Sequence, residues 1–202
     1  MNEKILKIDR LNKVFHSKGT NLKAVNDLSL DVYKGECIGI VGESGSGKST
    51  LGHCIVSGIR ATSGDILYKS SHGQEYNIAK IDKRSLKKIR KEIQLIFQDP
   101  YSSLNPRMSV YDIISEPLKV NFSMTSREVE HRVKAMAEKV GLNPTHLKRY
   151  PHAFSGGQRQ RIGISRALII EPELVVCDEA VSALDVSVQA QVVNLLKDLK
   201  NE

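Results

Sequence analysis

Gly42-Glu-Ser-Gly-Ser-Gly-Lys-Ser-Thr50 is the stretch that decides how this chain folds. Such a run is a phosphate-binding loop only where a strand leads into it and a helix leads out. Cys37-Ile-Gly-Ile-Val41, immediately before it, lacks polar alternation and reads as a parallel strand covered on both faces. A helix is expected from Lys48, with Leu51, Cys54, Ile55 and Ile59 on its buried side. In that setting Gly42, Gly45 and Gly47 let backbone N–H groups turn inward around phosphates, and Glu43, Ser44, Ser46 and Thr50 complete the cradle. Lys48 should reach the β- and γ-phosphates of ATP, and the Ser49 hydroxyl should ligate Mg²⁺. An ordinary glycine-rich turn would require neither the lysine nor the hydroxyl. The expected fold class is therefore α/β: a P-loop NTPase with a RecA-like parallel sheet.

Far downstream, the apolar run Leu174-Val-Val-Cys177 ends in two adjacent carboxylates, Asp178 and Glu179. Placed at the end of a strand, both would enter one water-poor cleft. Asp178 would hold Mg²⁺ through a water, and Glu179 would orient and deprotonate the water that attacks the γ-phosphate. Loss of a general base typically costs about 10²–10⁴ in rate. Taken alone, the pair could equally cap a helix. Between the two motifs stands Phe154-Ser-Gly-Gly-Gln-Arg-Gln-Arg161.

Composition sets the outer limits. The 202 residues, 40% hydrophobic and 26% charged, suit one soluble domain with a real core, or one core with an insertion. No apolar run approaches the roughly 20 residues of a membrane helix, and the N-terminus has no secretory apolar segment. A cytosolic setting follows, and Cys37, Cys54 and Cys177 are expected to be buried small hydrophobes. The six histidines show no ligand spacing. The net charge of +7 is concentrated in Lys83-Arg-Ser-Leu-Lys-Lys-Ile-Arg-Lys91, where Leu86, Ile89 and Ile93 fall at helical spacing. That pattern is a solvated helix face, and no interleaved aromatics suggest nucleic acid.

Along the chain, Leu6 and Ile8 alternate with charges, and Leu28, Leu30 and Val32 alternate with polar residues, as half-buried antiparallel strands do. Lys34-Gly35 is a turn, Thr62-Ser-Gly-Asp65 breaks the first helix, and Ile66-Leu-Tyr68 and Ile93-Gln-Leu-Ile-Phe97 are further strands. Asp99 to Arg107 is loop. Thr125 and Glu128 form a capping box ahead of an apolar stripe, Val129, Val133, Ala137 and Val140, which Gly141 ends. A helix is expected from Gln158 to Ile170, stopped by Glu171-Pro172, and a last amphipathic helix carries Val188, Val192, Leu195 and Leu199. Residues 1–98 and 158–202 read as an α/β core with an antiparallel β subdomain, and 99–157 as a helical insertion.

Together these motifs resemble the nucleotide-binding subunit of ABC transporters, over essentially the whole chain. The resemblance implies that Gln98 is the Q-loop glutamine, which contacts Mg²⁺ or the attacking water and senses the membrane partner. It implies that Ser155, Gly156, Gly157 and Gln158 are the signature that binds ATP held by the opposite subunit. Asp185, in Ser182-Ala-Leu-Asp185, belongs to the loop that crosses the dimer interface. Phe15 matches the adenine-stacking aromatic, although a core phenylalanine is the plain alternative. Two such subunits, alike or different, must then face head to tail, and closure on ATP drives membrane-spanning permease subunits. Phe97 to Arg107 and Ser182 to Gln191 are similar to the bacterial oligopeptide/dipeptide/nickel importer ATPases, which also depend on an extracytoplasmic solute-binding protein. The expected place is the cytoplasmic face of the membrane, with no nucleic-acid partner.

Two departures accompany the resemblance. The family has proline, then threonine or valine, after the catalytic glutamate, where this chain has Ala180-Val181. The family's switch histidine lies beyond Glu202, so the 202-residue chain is expected to be an incomplete cassette, poorly soluble and nearly inactive by itself. A non-catalytic remnant that binds ATP or partner subunits is the alternative reading, and a soluble ABC ATPase acting on nucleic acid is another.

Overall fold

Alternation at the N-terminus builds the first sheet. In a computed structural model, which describes residues 3–17, 19–179 and 184–201, Lys4–Ser17 forms β1 and Thr20–Tyr33 forms β2. The two pair antiparallel, and β3 (Ser63–Lys69) and β4 (Glu75–Asn77) extend the sheet in the order β2-β1-β3-β4. Leu6, Ile8 and Leu11 of β1 and Ile66 and Tyr68 of β3 are buried. The β1–β2 register slips between Ile8 and Leu11, where Arg10 takes φ 46° and its amide donates to the Ser29 hydroxyl oxygen. The Tyr68 hydroxyl donates to the buried Glu92 carboxylate at 2.9 Å, which satisfies both groups away from water.

Two short helices accompany this sheet in the unit spanning residues 1–93: α1 (Lys48–Ile55) and α2 (Lys83–Ile89). Leu51, Cys54 and Ile55 of α1 are buried, whereas Ile59 falls beyond the helix end. Asp82 caps α2 by accepting from the Arg84 and Ser85 amides, and Ile93 lies outside that helix.

The segment Cys37-Ile-Gly-Ile-Val41 corrects the sequence expectation. It joins neither sheet among the described residues, and Val41 is 96% exposed. An apolar run encodes cover on both faces, but a parallel strand exists only where neighbours supply a ladder, and no described strand pairs with this one. The cysteines correct a second expectation: Cys54 is buried, while Cys37 and Cys177 are exposed. Burial pushes the Cys54 thiol up from its ordinary value.

Residues 94–202 form the other unit. Its parallel pair joins β5 (Ile93–Ile96) to β6 (Leu174–Cys177). Between them lie α3 (Val110–Asn121), α4 (Ser126–Lys139) and α5 (Gly156–Leu168), and α6 (Val186–Asn201) follows. The Thr125–Glu128 capping box is present in both directions, at 2.7 Å and 3.3 Å. Val129, Val133, Ala137 and Val140 all join one core with Ile113, Ile114, Ile162, Ile164 and Val192. Gly141 closes α4 at φ 72°. β6 is half-buried rather than enclosed, since the described sheet here has only two strands.

Candidate functional site

Backbone conformation and close packing both act on the glycines of the loop from Gly42 to Thr50. Gly45 and Gly47 stand at φ 80° and 94°, and a Cβ on Gly47 would meet the Ala24 carbonyl oxygen at 1.9 Å. A Cβ on Gly42 would lie 2.7 Å from the Ser46 Oγ, whose own amide donates to the Glu43 carbonyl at 3.2 Å. The chain then enters α1, so the amides of Lys48, Ser49 and Thr50 lead a helix N-terminus. Lys48 Nζ donates to the Gly42 and Glu43 carbonyls, each at 2.8 Å, which holds the ammonium over the loop. Ser44 is exposed on the same loop. In the same unit Phe15 lies on β1 and is 38% exposed, with Lys13 Nζ 4.7 Å from its ring centroid. It is therefore not a core phenylalanine.

The second cluster arises from the β5–β6 pair. The Asp178 amide donates to the Ile96 carbonyl at 3.0 Å, one residue past the end of β6. That bond sets the following residues of both strands side by side. Gln98 Nε2 donates to Glu179 Oε2 at 2.7 Å across 81 residues of sequence. Glu179 takes φ 42°, a left-handed backbone costly for a residue with a Cβ, as is common where a functional side chain must be aimed. Asp178 is half-buried and Glu179 exposed, so the pair does not share the enclosed cleft that two acids after a buried strand suggested. The loop beyond Gln98 is ordered by Asp99. The Tyr101 amide and the Ser102 hydroxyl and amide hold the Asp99 carboxyl below the usual carboxylate range.

The third cluster is the start of α5. Ser155 caps the helix, accepting from the Gln158 amide at 3.3 Å, while Gln158 Oε1 accepts from the Ser155 amide at 3.0 Å. The helix thus begins at Gly156, two residues before the expected Gln158, and the signal for this is Ser-x-x-Gln, a capping box ahead of an apolar run. Gly157 is compelled by packing, since a Cβ there would meet Val188 Cγ1 of α6 at 2.6 Å. Of Ser182-Ala-Leu-Asp185, Ser182 and Ala183 lie outside the described residues, as do Ala180 and Val181. Asp185 is exposed at the head of α6, where its carbonyl accepts from the Val188 and Gln189 amides. Loop, lysine and Phe15 thus fall in the unit 1–93, and Gln98, the acid pair and the Ser155–Gln158 box in the unit 94–202.

A profile of the ABC transporter family matches residues 25–182, most of the chain. The chain belongs to the ABC transporter family. Among its curated relatives, the oligopeptide transport ATP-binding protein OppF of Bacillus subtilis (strain 168) is 51% identical over the whole chain, which covers 65% of that relative. OppF of Haemophilus influenzae is 53% identical, with 97% of this chain and 58% of the relative covered. The dipeptide transport ATP-binding protein DppF of Lactococcus lactis subsp. cremoris is 49% identical, with 98% and 63% covered. The chain thus spans between half and two thirds of these relatives' lengths. Among solved structures, the dimeric post-hydrolysis state of the ATP-binding cassette MJ0796, bound to ADP and Pi, superimposes with a TM-score of 0.86 at 27% identity. The match covers 97% of this chain and 83% of that one. The cbiO1 cassette of Clostridium perfringens, part of the cbiONQ transporter complex, gives 0.81 at 28% identity, covering 98% and 74%. This ABC transporter chain therefore has the α/β fold of an ATP-binding cassette. None of its described helices is long and apolar enough to cross a membrane.

Proposed function

We propose that this chain is the ATP-binding and ATP-hydrolysing part of a bacterial ABC importer for peptides. The observation that carries the reading is the hydrogen bond from Gln98 to Glu179, which holds a carboxylate beside the family's glutamine at the end of the β5–β6 pair. Two kinds of relatives, oligopeptide and dipeptide ATP-binding proteins, support peptides as the solute class. The relatives described above are all transport ATP-binding proteins, and an intact acid pair does not favour a non-catalytic remnant.

In this reading the amides of Gly42 to Thr50 and the Lys48 ammonium bind the phosphates of ATP, and Phe15 stacks on the adenine. Glu179 takes the proton of the attacking water, and Gln98 keeps that carboxylate oriented. The residue types suit Mg²⁺, a hard cation that prefers oxygen: Ser49 would hold it through its hydroxyl in one unit, and in the other Asp178 would hold it through its carboxylate and Gln98 through its side-chain oxygen, whose Nε2 is committed to Glu179. Mg²⁺, when bound, supplies positive charge against the phosphate oxygens. Residues 99–157 form the helical insertion that brings the Ser155–Gln158 signature to ATP on a second, similar or identical subunit. Permease subunits in the membrane receive the motion, a solute-binding protein outside delivers the peptide, and this chain sits on the cytoplasmic membrane face.

The test is Glu179→Gln in the assembled transporter. Turnover should fall by about 10²–10⁴ while ATP affinity is retained. Unchanged turnover would remove Glu179 as the base, and absence of ATP binding by the unaltered protein would remove the whole reading.

A further inference from the structure

Helix α5 carries Arg159 and Arg166 seven residues apart, a spacing that puts both on one side of the helix. Both guanidinium groups engage the loop that contains Gln98. Arg166 Nη1 donates to the Ser103 carbonyl at 2.7 Å, and its guanidinium carbon lies 5.7 Å from the Phe97 ring centroid. The Arg159 guanidinium carbon lies 4.3 Å from the Tyr101 ring centroid, while its Nε donates to the Pro151 carbonyl at 2.9 Å. Phe97 is 40% exposed and Tyr101 60%. The Tyr101 hydroxyl also reaches the head of the helix, 3.4 Å from where a Cβ on Gly156 would stand.

We infer that Arg166 is a positioning residue that clasps the loop from Phe97 to Ser103 to the signature helix, so that Gln98 and the Gly156 and Gly157 amides shift together. The chemistry suits the task. A planar guanidinium can face a ring and donate in its own plane simultaneously, which an ammonium cannot do with the same geometry. Burial disfavours the charge on Arg166, and the neighbouring Glu116 restores part of it. A cation kept in such a place needs partners, and Ser103 and Phe97 are two of them.

This inference rests on the ATPase reading above, and the experiment separates the two. In the assembled transporter, Arg166→Met, Phe97→Leu and the double variant are compared for kcat, KM for ATP and thermal midpoint. Each single change should lower kcat roughly 10- to 100-fold, as misplacement of a reacting group does, with KM changed by less than about twofold. The double variant should fall no further than the worse single one, because both changes open the same clasp. Losses that multiply, unchanged kcat, or a rise in KM alone would overturn the inference. Should Arg166→Met fail to fold, Phe97→Leu decides by itself, since its ring is partly solvent-exposed: an unchanged kcat there is fatal. A wild-type assembly that neither binds nor turns over ATP refutes the ATPase reading, and the clasp with it.

Discussion

At Gly47 two constraints meet that neighbouring Gly45 separates. Both residues have positive φ, but only Gly47 also faces a carbonyl, that of Ala24, where a Cβ would sit at 1.9 Å. Gly45 has open space around the same position. Gly45→Ala should therefore cost only the left-handed backbone penalty, about 1–2 kcal/mol. Gly47→Ala should exceed it, because a backbone carbonyl must move as well, and it should distort the entrance to α1. Thermal denaturation of the two variants side by side checks the order, and equal losses would show that Ala24 yields freely. The same residue scale explains Glu179. Its φ of 42° and its bond to Gln98 fix the carboxylate in direction as well as place. Nothing in the local sequence announces a left-handed glutamate; it follows from where the strand must end.

Among the elements, α5 and α6 touch through a glycine. Gly157→Ala would drive a methyl to within 2.6 Å of Val188 Cγ1, and overpacking of that kind typically costs about 1–3 kcal/mol. Val188→Ala in the same chain should return most of the loss, a recovery visible in thermal midpoints; no recovery would place the clash elsewhere. The glycine was legible as part of a ligand motif, but its packing partner 31 positions away was not. Elements whose signals are local were read well: the Thr125–Glu128 box, the stripe from Val129 to Val140, and the antiparallel hairpin from alternation. Cys37 to Val41 was misread because its apolar run reports what the segment wants around it, whereas ladder partners come from elsewhere in space. Cys177 and the half-buried β6 were misread for the same reason. Gln98 was singled out by family resemblance alone, and its bond to Glu179 was not expected, since no spacing in the sequence reveals a contact across 81 residues.

For the molecule as a whole, the acid pair is placed by a connection that runs through most of the unit 94–202. The Gln98–Glu179 bond and the ladder that supports it join the two ends of an 81-residue excursion. Closing a flexible loop of that length costs about 4 kcal/mol of chain entropy before any contact rewards it. Prior formation of α3, α4 and α5 shortens the free path and lowers that cost. On refolding from denaturant, far-ultraviolet helical signal should therefore return ahead of a probe of the Gln98–Glu179 pairing, such as fluorescence quenching between labels near the two residues; simultaneous return would mean that the strands meet first. On the proposed reading, the base is thus assigned to the last part of the unit to assemble. During synthesis, a nascent chain would hold the loop proposed for phosphate and the helix proposed for the signature before it held the carboxylate proposed as base.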